Sequence, residues 1–328
     1  MCTALSFKHD NSVLFGRNMD LAWNFNQSPI FIPRNAAWLN RADAKLRPFS
    51  RAIIGMGTLI DEHPSMAEAM NESGLACAGL NFPGYAYWES HCTDGKRKLA
   101  PYDFILWVLS EHDSIAEVRK SILGIELVDI PINVKTPCPS LHWMISDKSG
   151  ECIVVEKTAD GLRVYDNPVS VMTNNPRFDW HLTNLCEYMS VRIEHPDDTS
   201  WGNSVLSPLG VGAGTRGLPG DFASVSRFVR AAFANTHLPV MKNREDAVSH
   251  CFHILDYVAM VNGCVKTADF MDDQTIYSVC MDLAEGVYYY KTCHNSRISA
   301  IDLHKEDLDG SEIKRFSYPI KQDINFIN

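Results

Sequence analysis

The chain has 328 residues, 45% of them hydrophobic, which is enough apolar material for a large core and excludes general disorder. Forty acidic residues against 30 basic leave a formal charge of −10, so no nucleic acid and no anionic membrane surface is expected as a partner. The stretch from Met1 to Asp10 lacks the basic and apolar regions of a signal peptide, and no apolar run is long enough to span a membrane.

Strands are expected first, at Cys2–Phe7, Ser12–Asn18, Ala52–Gly57 and Leu75–Leu80, from alternating or β-branched apolar residues bounded by turn chemistry. Helical spacing follows at Tyr102–Glu111 and at Ser114–Leu123, the second opened by Asp113 or Ser114 and closed near Gly124. A three-strand meander over Leu141–Ser146, Glu151–Lys157 and Leu162–Tyr165 turns through Asp147–Gly150 and Ala159–Gly161. Two longer helices, Ser224–Asn235 and Arg244–Val261, precede terminal strands at Thr275–Met281, Val287–Lys291, Ile298–Asp302 and Ile313–Tyr318. Helices in blocks between strand groups argue for an α+β fold with antiparallel sheets. No repeat or linker interrupts the chain, so one domain over 1–328 is expected.

Ten cysteines without a C-x-x-C pair read as reduced thiols of a cytoplasmic protein. Cys2 is the most informative, although by position alone it is an ordinary small residue near a chain end. Removal of Met1 would leave a thiol and an α-amine on one residue. With a reference pKa of about 7.7 to 8.0, that amine is partly neutral near neutral pH and can act as base to its own nucleophile. A hairpin through His9–Asn11 would return Arg17 and Asp20 toward Cys2, a cation to favour the thiolate and a carboxylate to orient the amine. Gly212-x-Gly214-x-x-Gly217 fits a dinucleotide pattern but lacks the neighbouring strand and helix, and reads as a loop. The histidines show no metal-binding spacing, and there is no G-x-S-x-G.

Six ordered motifs, MCTA at 1–4, FGRNMD at 15–20, GLNFPGY at 79–85, LHW at 141–143, VMTNNPRFDWHLTNL at 171–185 and GLPGDFASVSRFVRA at 217–231, resemble the choloylglycine hydrolases. These are N-terminal-nucleophile amidohydrolases that include bile salt hydrolases and penicillin V acylases. The resemblance covers nearly the whole chain and implies a four-layer αββα sandwich. It also implies Cys2 as nucleophile, Arg17 beside its thiol, Asp20 holding the terminal amine, Asn174 positioning substrate and oxyanion, and Arg227, not Arg230, as second active-site arginine. Asn175 falls at a position that differs among members. Asn81 stands where bile salt hydrolases typically carry Asn and penicillin V acylases Tyr; its backbone N–H would join the Asn174 amide in an oxyanion site. Taken singly, each Asn is better read as a turn residue; the motif context reverses that.

The implied substrate is a bile acid conjugated to glycine or taurine, cleaved without metal or organic cofactor. Met19 and Phe25 are expected to touch the steroid, with Leu21, Trp23 and Ile60 equally readable as core. The segment His195–Gly220 resembles the assembly loop of tetrameric members, so a homotetramer is implied. A penicillin V or acyl-homoserine-lactone acylase, a non-enzymatic bile-salt-binding protein and a dinucleotide-dependent oxidoreductase are the alternatives.

Overall fold

A computed structural model describes residues 1–328. Two large antiparallel sheets form its centre. The first runs in the order Val171–Met172, Cys2–His9, Ser12–Leu21, Asp272–Asp282, Val287–Thr292 and Asn295–Asp302, with Val265–Lys266 added on Asp272–Asp282. The second runs in the order Gly161–Asp166, Cys152–Thr158, Leu141–Asp147, Leu75–Asn81, His63–Asn71, Ile53–Ile60, Ser28–Ile32 and Lys314–Arg315.

Alternation along the strands sorts the layers. In Ser12–Leu21 the even positions meet the helix Arg244–Tyr257: the Asn18 amide donates to the Leu255 carbonyl at 2.7 Å. A Cβ on Gly16 would lie 2.6 Å from the Cys251 sulfur, so the helix packs this closely only because glycine is there. Odd positions point the other way, and Arg17 crosses to Glu68 and Gly79 of the second sheet. Helices Ser224–Thr236 and Arg244–Tyr257 thus cover the first sheet, while Phe104–Glu111 and Ile115–Ser121 pack on the second through Leu106, Trp107 and Val118. The result is the four-layer α+β sandwich that the sequence implied.

Several expected boundaries shift for visible reasons. Ser114 caps the helix Ile115–Ser121, its hydroxyl accepting from the Glu117 N–H. The helix from Arg244 stops at Tyr257 instead of Val261, because the Met260 backbone leaves to pair with Thr275. Of Ile313–Tyr318 only Lys314–Arg315 is strand; beyond it, the Ser317 and Pro319 carbonyls accept from Tyr290 and Thr292 of the other sheet. The strands Ser28–Ile32 and His63–Asn71 and the helix Phe178–Asn184 have no counterpart in the sequence reading. His63–Asn71 is rich in Ala, Met and Glu, helix-favouring residues that the sheet overrides. Gly212–Gly217 forms only a short 3₁₀ turn at Ala213–Thr215, so it is a loop, as expected.

Candidate active site

Cys2 begins the first strand opposite Met19, a register that places the N-terminus at the end of the hairpin where its two strands lie side by side. The thiol is buried, with the Met19 sulfur at 3.7 Å. One Arg17 nitrogen, Nη2, donates to Cys2 Sγ at 3.2 Å and to the Gly79 carbonyl at 3.3 Å. The other, Nη1, donates to Glu68 and, at 2.7 Å, to the Tyr277 hydroxyl. Burial alone would weaken the Arg17 proton affinity, but Cys2, Tyr277 and Glu68 together raise it, so the guanidinium stays charged.

Arg227, on the helix Ser224–Thr236, is also buried and ties the backbone together: Nη1 donates to the Cys2 carbonyl and to Thr3 Oγ1, both at 2.6 Å, and Nη2 to Asn174 Oδ1 at 2.8 Å. Asn174 Oδ1 also accepts the Cys2 N–H at 2.8 Å, and Asn174 Nδ2 donates to the Asn81 carbonyl at 2.7 Å. One N–H of that amide is therefore used, and the second makes no hydrogen bond within the chain. Phe82 N–H pairs with the Ser140 carbonyl, so by strand alternation the Asn81 N–H points to the opposite edge of its strand, beyond the end of its ladder with His63–Asn71.

Asp20 is fully buried. Its Oδ1 accepts from Thr275 at 2.6 Å, while Oδ2 has no hydrogen-bond partner and lies 3.8 Å from Arg227 Nη1. Burial raises its pKa, against the pull of Arg227 and of the chain's amine. That amine is carried by Met1, donates to the Asp20 carbonyl at 2.6 Å, and lies 3.7 Å from Asp273. The six residues Cys2, Arg17, Asp20, Asn81, Asn174 and Arg227 thus form one continuous network from distant chain segments. Arg230 stands apart, donating to the Pro219 and Asp221 carbonyls.

Cys2 opens on a cavity of about 680 Å³, whose wall includes Met19, Leu21, Trp23, Phe25, Ile60 and Asn81. This is within the range of about 300 to 1,000 Å³ usual for small-molecule sites. The cavity places an apolar chamber beside a thiol, a cation and amide donors, the parts needed for acyl transfer to sulfur.

The sequence profile of the linear amide C–N hydrolases, choloylglycine hydrolase family, matches residues 2–316. The chain belongs to this family. It is therefore an amidohydrolase, and its sandwich is that of the N-terminal-nucleophile hydrolases. It is 45% identical to the bile salt hydrolase/transferase of Clostridium perfringens over 331 residues, with 100% of both chains covered. It is 39% identical to the bile salt hydrolase/transferase of Lactiplantibacillus plantarum, with 99% of both covered. A crystal structure of a mutant conjugated bile acid hydrolase from Clostridium perfringens superposes with a TM-score of 0.95 at 44% identity, again over 100% of both chains.

Sequence reading missed the supporting residues. Glu68 holds Arg17, Thr275 holds Asp20, and Ser224 Oγ accepts the Asn174 N–H at 2.9 Å. His181 Nε2 meets the Asn174 carbonyl at 3.0 Å, and burial pushes its pKa down to about 4. His181 lay within a quoted motif; Glu68 and Thr275 carry no local signal.

Proposed function

We propose that this amidohydrolase cleaves the bond joining a bile acid to glycine or taurine, with Cys2 as nucleophile. The observation that carries the reading is the Cys2 sulfur, 3.2 Å from Arg17, at the wall of a cavity lined by Met19, Leu21, Trp23, Phe25 and Ile60. Those side chains offer a rigid apolar steroid the contact area it needs, and the names of both relatives support that substrate class.

In this mechanism Met1 is removed, so the amine belongs to Cys2. The unpartnered Asp20 Oδ2 supplies the acceptor that such an amine requires, and Asn174 Oδ1 already accepts from the same nitrogen. The Cys2 thiol passes its proton to the Cys2 amine, and the sulfur, beside Arg17, attacks the amide carbonyl. The oxyanion takes hydrogen bonds from the Asn81 N–H and the open N–H of Asn174. The Cys2 amine passes a proton to the departing glycine or taurine nitrogen, leaving a thioester. Water, giving a proton to the Cys2 amine, attacks the thioester; the C–S bond breaks, the free bile acid leaves and the proton returns to the sulfur.

The enzyme acts as one domain over 1–328, without cofactor, and assembles as a homotetramer through residues 195–220. The hairpin Thr199–Trp201 with Ser204–Leu206, followed by exposed Leu209 and Val211, supports that assembly. A light-scattering mass of the 36.8 kDa monomer would remove it. Ten free cysteines suit a reducing cytoplasm, and no helix is long and apolar enough to cross a membrane.

The test is release of glycine from glycocholate and taurine from taurocholate, beside penicillin V cleavage, by wild type and Cys2→Ser after mass spectrometry of the N-terminus. Rapid release that vanishes in the variant is expected. Preferred cleavage of penicillin V would overturn the substrate, and undiminished turnover by Cys2→Ser the nucleophile.

A further inference from the structure

Glu68 is fully buried, on the sheet opposite the one that carries Cys2 and Arg17. Its Oε2 accepts from Arg17 Nη1 and from the Tyr277 hydroxyl at 3.0 Å, and its Oε1 from the Tyr288 hydroxyl at 2.9 Å. It takes no part in the wall of the Cys2 cavity, so it does not touch substrate. Replacing a buried ion pair by apolar residues is often neutral or stabilising, so fold stability alone is a poor account of this pair beside a thiol.

We propose that Glu68 is a positioning residue for the amide hydrolysis: braced by two tyrosine hydroxyls, it fixes one Arg17 nitrogen so that the other faces Cys2 Sγ. This rests on the reading of Cys2 as nucleophile. The geometry demands such a brace, because Arg17 Nε is buried without a partner and nothing on the stem side holds the guanidinium plane. Without Glu68, Nη1 keeps only the Tyr277 hydroxyl, and the contacts of Nη2 to Cys2 Sγ and the Gly79 carbonyl lose their anchor.

Burial raises the Glu68 pKa, and Arg17 with the two tyrosine hydroxyls pulls against that rise. The ionisable groups facing Glu68 are Arg17, Tyr277 and Tyr288, from three strands of the first sheet; Ala78 of the neighbouring strand adds none. Those around Cys2 are Arg17, Tyr277, Asp20, Arg227 and the chain amine, so Glu68 acts on the thiol through Arg17.

Glu68→Gln keeps the shape and removes the charge. Expected are a kcat lowered about 10²-fold, the size of effect from about 1 Å of misplacement, with KM unchanged. Cys2 alkylation by iodoacetamide, followed against pH, is expected to move to higher pH, because Arg17 is no longer held against Sγ. Tyr288→Phe removes one brace and is expected to lower kcat about fivefold, the worth of one hydrogen bond. A folded Glu68→Gln with wild-type kcat overturns the proposal. So does a loss of kcat with an unmoved alkylation profile, which a merely structural role would produce. Should Glu68→Gln fail to fold by circular dichroism, Tyr288→Phe decides: wild-type kcat there overturns it. Full activity in Cys2→Ser is a different failure, that of the nucleophile reading, and is scored separately.

Discussion

Around Cys2 the interior holds Arg17, Asp20, Glu68 and Arg227, each 1% exposed or less, whereas the segment 195–220 leaves Trp201, Leu209 and Val211 at 78%, 100% and 105% exposure. The first region buries charge and the second exposes apolar surface, each against the ordinary preference of those residues. What differs is where the compensating partner lies. Around Cys2 it comes from within the chain, Glu68 meeting Arg17 and Asp20 lying beside Arg227, with Asp20 Oδ2 and one Asn174 N–H left without a hydrogen-bond partner. For 195–220 the chain supplies none. The proposed hydrolysis would use the first imbalance, and the proposed assembly would cover the second.

The sharpest way to break the comparison is at Asn174, which joins Cys2, Arg227 and Asn81. Asn174→Ala removes the proposed oxyanion donor and strips an acceptor from both Arg227 and the Cys2 N–H, and is expected to lower kcat by about 10² to 10³. Steady-state kinetics with a change of less than about tenfold would dissociate Asn174 from the reaction.

A smaller effect is expected from His181. Unfolded, its imidazole binds a proton near its usual 6.5, but buried against Asn174 it resists until about pH 4. Its contribution is therefore complete above the unfolded value and lost as pH falls through the interval toward 4. Stability should drop by about 2 kcal/mol between about pH 7 and about pH 5 from this group. Denaturant melts at the two pH values should show the slope flattened in His181→Gln; an equal slope would refute the assignment.

The least effect on the monomer is expected in the exposed segment. Leu209→Ser with Val211→Ser should leave subunit stability within about 0.5 kcal/mol, yet lower the assembled mass seen by light scattering. A destabilised subunit with unchanged assembly would reverse the contrast between the two regions.

Much of the site was legible because its residues sit in local motifs: Cys2, Arg17 and Asp20 on one hairpin, Asn81 at a strand end, Asn174 and Arg227 beside recognisable neighbours. Cavity residues were legible for the same reason, since Met19, Leu21, Trp23 and Phe25 continue the hairpin. Glu68 was not, because the Met66–Met70 stretch around it favours helix and its partners Arg17, Tyr277 and Tyr288 lie 51 or more positions away. Thr275 was not, because nothing near it in the chain foretells Asp20.

The sequence by itself determined the α+β class, the hairpin carrying thiol, cation and carboxylate, and the family, since these depend on alternation, turns and motif order that neighbouring residues encode. Only the tertiary structure decided that Glu68, Tyr277 and Tyr288 brace Arg17, that Thr275 ends a helix early to hold Asp20, and that Asn174 links Cys2 to Arg227. Those choices arise when two sheets close on each other, because a buried charge must be met by whichever polar group packing brings within reach.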